Sequence, residues 1–477
     1  MNRAVEIIFG APGCGKTRKL MDILETELKE VEPRRIAYVS FTKKGSEEGL
    51  KRAREKFKFP VKEFRYFRTI HSICFRELCI KPGDMIAKKD YRELSKAVGM
   101  SFTGFYTEDL HNTDDRYLHM NLMKLNNPHM FHKMLATMDL NLQQLNYVEK
   151  NYTKFKKHIK KIDYSDLLLR ALKANVQLDV DVAIIDEAQD LTTLQWKVCG
   201  ALFNKAKRVY IAGDDDQAIF EWSGADVDYF LNVKGNRTIL DKSWRLKKNL
   251  LDFSKQISSM ISHRVEKDFS PVEDGGEIHY YNNVSEVKFN PDETYYCLGR
   301  NNCHLKRYTE ELQKQAMYYT LKTKASISPS MVKAINNFES YKNGTLEINK
   351  VISVRQYLKK DIKTHVSNLQ WYDALSLTPD ESFYYRKLIE NKTVLKDSKI
   401  MVNTIHGVKG GEADNVILLM DVTRTIHKNL DNLTDSELRC LYVACTRAKN
   451  KLHIIHSESK HSYSDTFKML NILGDKK

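Results

Sequence analysis

Gly10-Ala11-Pro12-Gly13-Cys14-Gly15-Lys16-Thr17 satisfies the pattern G-x-x-x-x-G-K-[ST] at every position. The apolar run Val5 to Phe9 precedes it and a charged, helix-forming stretch follows. Strand, glycine-rich turn and helix in that order form a phosphate cradle, because the glycines let backbone N–H groups close around a nucleotide. In this reading Gly10, Ala11, Pro12, Gly13, Cys14 and Gly15 supply the cradle. Lys16 reaches the β- and γ-phosphates, and the Thr17 hydroxyl ligates Mg²⁺. The fold class is therefore α/β. The loop points to a nucleoside triphosphate and leaves open what its hydrolysis drives.

Outward from the loop, Val5–Phe9, Arg35–Ser40, Val182–Ile185 and Arg208–Ala212 are short, nearly continuous apolar runs. They are expected to be parallel strands of a sheet covered on both faces. The segment from about Cys74 to Lys161 breaks this rhythm. It is rich in Lys, Asn, His and Met and reads as a helical insertion. A second αβ series is expected from Arg237, with strands at Arg237–Leu240, Glu277–Tyr281, Glu293–Gly299, Lys399–Asn403, Asn415–Leu419 and Lys451–Ile455. About Ser326 to Leu395 reads as a second, mostly helical and polar insertion. The expected organisation is a first core of residues 1–73 and 162–236 with insertion 74–161, then a second core of 237–325 and 396–477 with insertion 326–395.

A chain of 477 residues is too long for one ordinary core. Its 77 Lys and Arg against 62 Asp and Glu leave a net charge of +15, which favours a polyanionic partner. No apolar run approaches the roughly 18 residues a membrane helix needs. Glu6, Pro12 and Lys16 interrupt the first apolar stretch, so no secretory leader is read there. No membrane partner and a cytoplasmic location are the expectations. The eight cysteines are scattered without a C-x-x-C pair, which argues for buried thiols rather than a zinc or Fe–S site.

Val182-Ala183-Ile184-Ile185-Asp186-Glu187 is an apolar strand ending in two acids. Such a pair is costly at a buried strand end unless a metal or hydrogen bonds compensate. Asp186 is expected to hold Mg²⁺ and Glu187 to polarise the attacking water. A third strand ends at Gly213-Asp214-Asp215-Asp216-Gln217, where the Gln217 amide can touch both γ-phosphate and water. Phe220 and Trp222 follow. They read either as core packing or as a base-stacking platform, and the small, polar neighbours of Trp222 favour stacking there.

Taken in order, these blocks resemble the UvrD/Rep/PcrA branch of superfamily 1 DNA helicases over most of the chain. Gly10–Thr17 with Arg18 resembles the family's first motif, Phe41-Thr42-Lys43-Lys44 the second block and Thr69-Ile70-His71-Ser72 its T-F-H-S/G element. Ile162–Leu167, Asp186–Asp190 and Gly213–Ala225 follow as the family has them, with Trp222 on the base-stacking tryptophan. Leu240–Arg245, Val402–Glu412 and Glu437–Ala448 resemble the fourth, fifth and sixth motifs. The resemblance implies two RecA-like P-loop NTPase core domains with mainly helical insertions. It implies that Phe41, Thr42, Thr69, His71, Phe220, Trp222, Thr404 and His406 contact DNA. Trp244 would stack on adenine, Arg245 would point at the γ-phosphate, Glu412 would meet the sugar and Arg447 would be the arginine finger. His71 and His406 each retain a reading as structural histidines.

Two departures stand out. The family reads adenine with a glutamine well ahead of the phosphate loop, whereas this sequence starts almost at the loop. Adenine is then expected to rest on Trp244, Arg18 or Arg3. The 326–395 region is also shorter than the family's second insertion, a compact form that suits a phage-encoded protein in the host cytoplasm.

The resulting expectation is an ATP- and Mg²⁺-dependent single-stranded DNA translocase and helicase, 3′ to 5′ by resemblance. It would act as a monomer on single strands and single/double-strand junctions, alongside replication or recombination proteins. One rival is a DNA-stimulated ATPase that displaces proteins without efficient unwinding. Another is a nucleotide-gated DNA-binding scaffold, against which Glu187 and Arg447 argue, since a mere switch needs neither water activation nor a finger.

Overall fold

The computed structural model describes residues 3–104, 113–137, 140–345, 354–360, 369–395, 397–431 and 434–464. The chain divides into two units, residues 1–274 with 433–442 and residues 275–432 with 443–477.

The first unit is built on six strands: β1 (Ala4–Gly10), β2 (Ile36–Ser40), β3 (Tyr66–Arg68), β4 (Val182–Asp186), β5 (Arg208–Gly213) and β6 (Asn236–Leu240). They lie in the order β3-β2-β4-β5-β1-β6 and every pairing is parallel. Every residue of β2 and β4 is buried, as their apolar sequences require of strands covered on both faces. Alternation sorts the side chains. Ile7, Phe9, Val39, Ile185 and Ile211 enter one core, and Ile8, Tyr38, Ile184 and Ala212 enter the core beneath the helix Lys16–Glu27. The register aligns the carboxyl ends: Ser40 pairs with Asp186, Phe9 with Gly213, and Val39 with Arg68. The segments that leave β1, β2, β3, β4 and β5 therefore emerge along one edge, where ligands of open α/β sheets bind.

Strand β6 is a correction to the expected second core. Its residues pair with β1, Gly10 beside Leu240, so it closes the first sheet. Its sequence resembles any αβ strand, and its mostly exposed pattern is that of an edge strand, whose owner only pairing reveals. After it, β7 (Lys242–Ser243) and β8 (Ser270–Pro271) form a small parallel pair in the same unit. Between β3 and β4 lie the helices Lys88–Val98, Thr113–Asn126, Pro128–Thr137 and Leu142–His158. They enclose their own core, with Leu94, Leu118, Met120, Met123, Leu145 and Val148 among its members.

The second unit carries β9 (Glu277–Tyr281), β10 (Tyr295–Gly299), β11 (Thr320–Leu321), β12 (Lys324–Ala325), β13 (Ile400–Thr404), β14 (Ala413–Leu419) and β15 (Ala448–Ile455). Their order is β12-β11-β13-β10-β14-β15-β9, parallel except for the β11–β12 hairpin. Among the described residues, the helices Pro329–Lys342, Trp371–Ala374 and Pro379–Glu390 pack onto the sheet. Ile335, Phe338, Trp371, Tyr384 and Leu388 join Cys297, Val402 and Ile417 of the sheet in one cluster. The aromatic richness of this stretch thus serves the sheet it covers. No helix among the described residues is long and apolar enough to cross a membrane.

Candidate nucleotide and nucleic-acid site

The loop between β1 and the helix Lys16–Glu27 turns through two left-handed glycines, Gly13 at φ 73° and Gly15 at φ 85°. Gly15 is the N-cap, so the unpaired N–H groups of the first helical turn open into the loop. Thr17 is half-buried in that turn and Arg18 is exposed, as is Arg3 ahead of β1. Gly13 also has no room for a side chain, since a Cβ there would stand 2.2 Å from Cβ of Arg245. The segment after β6 lies directly on the loop. Trp244 N–H donates to Gly13 O at 2.9 Å and the Ser243 hydroxyl donates to Pro12 O at 2.9 Å. Trp244 and Arg245, expected in the second core, therefore sit with the phosphate loop in the first unit. The Trp244 side chain is exposed and Arg245 is half-buried.

Lys16 Nζ donates to Gly10 O at 2.6 Å. Burial opposes its charge, but Cys14 and the carboxyl groups of Asp214, Glu187 and Asp186 face it and hold its pKa above the ordinary lysine value. Asp186 is buried at the end of β4. It accepts from the Tyr38 hydroxyl at 2.5 Å and from Glu187 N–H at 2.9 Å. Burial first, then the neighbouring Glu187 charge, raises its pKa. Two oxygen donors crowded in this way fit a hard divalent cation, which would relieve both effects. Glu187 itself has φ 54°, a left-handed conformation that costs a non-glycine residue on the order of 1–3 kcal/mol.

Gln189 ties these acids to the next strand. Its Nε2 donates to Glu187 Oε2 at 2.6 Å, and its Oε1 accepts from Asp214 N–H at 3.0 Å. It is fully buried. Beyond it, Gln217 Nε2 donates to Asp214 Oδ2 at 2.6 Å. Asp214, Asp215 and Asp216 are all buried around the Lys267 ammonium, at 3.4, 2.5 and 3.0 Å respectively. Arg264 adds a two-pronged pair to Asp216 at 2.8 and 2.6 Å. Burial works against the Asp216 charge, but Arg264 and Lys267 prevail and hold its pKa low. Gln189, Arg264 and Lys267 were assigned no role from sequence. Three consecutive acids at a strand end do demand counter-charges, but nothing local identifies which cations, more than forty residues downstream, supply them.

The residues expected to touch a strand fall into two groups. Phe41, Phe220 and Trp222 form a chain of rings, with centroids 5.6 Å apart for the first pair and 6.4 Å for the second. His119 from the helical insertion continues it, its ring 6.3 Å from Trp222 and its Nε2 2.8 Å from Trp222 O. Thr42 and Thr69 spend their hydroxyl oxygens as helix caps, accepting from Gly45 N–H at 3.0 Å and Ser72 N–H at 3.2 Å. His71 lies edge-on to the exposed Tyr164, centroids 5.4 Å apart. Burial lowers its pKa to about 4, so it is neutral at pH 7.

In the second unit, Thr404 ends β13 and its hydroxyl accepts from Gly407 N–H at 3.3 Å. His406 is half-buried in the following turn and Glu412 is exposed just before β14. Arg447 is 1% exposed. It donates to Val443 O at 3.0 Å, Gly411 O at 3.2 Å and Thr446 Oγ1 at 3.1 Å, while its own carbonyl accepts from Ala413 N–H at 3.1 Å. Arg447 is thereby packed beside the backbone that carries Glu412.

Residues 3–238 match the UvrD/REP helicase N-terminal domain and residues 301–459 match the UvrD-like helicase C-terminal domain. The chain is 24% identical over 319 residues to the ATP-dependent DNA helicase PcrA of Staphylococcus epidermidis. It is 25% identical over 320 residues to the protein of the same name from Staphylococcus aureus. In both cases the similarity covers 59% of this chain and 41% of the relative, so the chain spans about two-fifths of the length of these relatives.

Proposed function

We propose that this chain, which carries the N-terminal and C-terminal domains of the UvrD-like helicases, is an ATP-driven motor on single-stranded DNA built on two RecA-like cores. The observation that carries the reading is the bonded series Glu187–Gln189–Asp214–Gln217, continued a few residues on by the rings of Phe220 and Trp222. A group able to activate water, a group able to sense the γ-phosphate and a stacking surface thus share one sheet edge.

In the proposed cycle the loop Gly10–Thr17 cradles the phosphates and Lys16 moves from Gly10 O onto them. Glu187, aimed by its backbone and by Gln189, takes the proton of the attacking water. Mg²⁺, held by Thr17 and Asp186, would neutralise charge on the leaving phosphates. Arg245 and Arg447 stabilise charge that develops on the transferred group, and Trp244 stacks on adenine with Arg18 and Glu412 around the nucleoside. Phe41, Phe220 and Trp222 hold bases by stacking, worth roughly 1–3 kcal/mol each. Thr42, Thr69, His71, Thr404 and His406 line the strand's course, and movement runs 3′ to 5′.

The test is ATP turnover with single-stranded DNA, duplex DNA and RNA, followed by displacement of a strand from a 3′-tailed duplex. Turnover is expected to rise most with single-stranded DNA. No rise with any polynucleotide would remove the motor reading, and a rise without strand displacement would replace unwinding with protein displacement. Glu187→Gln is expected to lower turnover at least about 100-fold while ATP still binds. Arg447→Ala is expected to lower it about 1,000-fold.

A further inference from the structure

Arg439 lies on the helix Asp435–Cys445, which ends just before Arg447. Its guanidinium is buried, with 2% of the side chain exposed. Nη1 donates to Glu221 Oε1 at 2.7 Å and Nη2 donates to His263 O at 2.7 Å. Neither partner is near it in sequence, and each leads to a different part of the site. Glu221 immediately precedes Trp222, so the strand-side ring is one residue from the ion pair. His263 immediately precedes Arg264, which grips Asp216. Asp216 shares Lys267 with Asp214, and Asp214 holds the Gln217 amide.

The helix start reinforces this join, because the Asp435 carboxylate accepts from the backbone N–H groups of Ser262 and His263 at 2.9 and 2.8 Å. Burial raises the pKa of Glu221, with the Arg439 charge opposing that rise. A cavity of about 620 Å³ borders the pair, lined in part by Glu221, Asp228, His263, Asp435 and Arg439.

We propose that Glu221 and Arg439 form a positioning pair that couples Trp222 and Gln217 to the helix leading to Arg447. A strand that moves Trp222 would pull on Arg439 through Glu221. A nucleotide that moves Gln217 would reach the same guanidinium through Asp214, Lys267, Asp216 and Arg264. Neither residue is among those proposed to hold the nucleotide or the strand, and the pair acts by setting how strongly one alters the response to the other. This rests on the motor reading above.

The experiment is a double-mutant cycle in the full chain with Glu221→Gln, Arg439→Lys and both together. The kcat and KM for ATP are measured with and without single-stranded DNA, and a thermal melt checks folding. Each single variant is expected to keep its DNA-free kcat within about twofold and to lose about fivefold or more of the stimulation by DNA. The double variant is expected to lose no more than the worse single one. Stimulation unchanged in either folded single variant overturns the proposal, as do losses that multiply in the double. If a single variant melts below the assay temperature, Glu221→Asp, which keeps the charge and shortens the reach, is judged by the same criterion. The motor reading fails separately, when the unaltered chain shows no stimulation, and the coupling proposal fails while that stimulation is intact.

Discussion

In the first unit the candidate site is held by side chains that reach across the sheet. Tyr38 of β2 bonds Asp186 of β4, Gln189 joins the acidic turn to the end of β5, and Lys267 sits among Asp214, Asp215 and Asp216. In the second unit the corresponding cluster is held largely by backbone. Arg447 donates to two main-chain carbonyls, and Gly407 and Gly411 let the chain pass close to Asn403 and Tyr296. Buried opposite charges fix geometry strongly but make each member depend on the others, because removing one leaves an uncompensated charge. Close backbone packing has no such dependence and is sensitive to added volume instead.

Lys267→Met should therefore be the most damaging change, costing about 3–5 kcal/mol in an equilibrium urea melt of the full chain. A cost under about 1 kcal/mol would break the comparison at its strongest point. In the second unit, Gly407→Ala should cost about 1–3 kcal/mol, since its Cβ would stand 2.2 Å from Asn403 Oδ1. If it costs more than Lys267→Met, backbone packing outweighs charge pairing here.

Acid should act on both units alike. His71 in the first and His453 in the second are each lowered by burial to about 4 from an ordinary 6.5. Well above pH 6.5 neither the folded nor the unfolded form is appreciably protonated at these rings, and the contribution to stability is complete. As the pH falls toward 4 the unfolded chain takes up protons that the folded one refuses, so stability is lost in that window. Each ring should cost about 1–2 kcal/mol by pH 5. Comparing His71→Asn and His453→Asn in melts at pH 7 and pH 5 checks this, and an unchanged pH slope in both would refute it. The smallest effect is expected for Thr42→Ala, which removes a helix cap for about 1 kcal/mol. A circular-dichroism melt measures it, and any larger loss would mean that Thr42 holds more than the cap it makes to Gly45.

Much of the site was legible because it is local. The phosphate loop, the acids Asp186 and Glu187, and Gln217 lie at strand ends whose apolar runs announce them. Phe220 and Trp222 were read as a pair and Phe41 apart from them, and the fold adds that the three rings form one chain. Thr42 and Thr69 were read toward DNA, and both also cap helices, a use that sequence spacing alone did not separate from binding. Arg245 and Trp244 were read as belonging to the second core because β6 looks like the start of a new αβ series.

The amino-acid sequence by itself determined the α/β class, the strand–loop–helix arrangement around Gly10–Thr17 and the blocks that resemble the UvrD-like helicases. All of these depend on periodicity and on residues close together in the chain. Only the tertiary structure decided that β6 closes the first sheet, that Trp244 and Arg245 rest on the phosphate loop, and that Lys267, Arg264 and Arg439 neutralise carboxyl groups far from them in sequence. A strand's neighbour and a buried charge's partner are settled by what folding brings together, and neither leaves a mark in local composition.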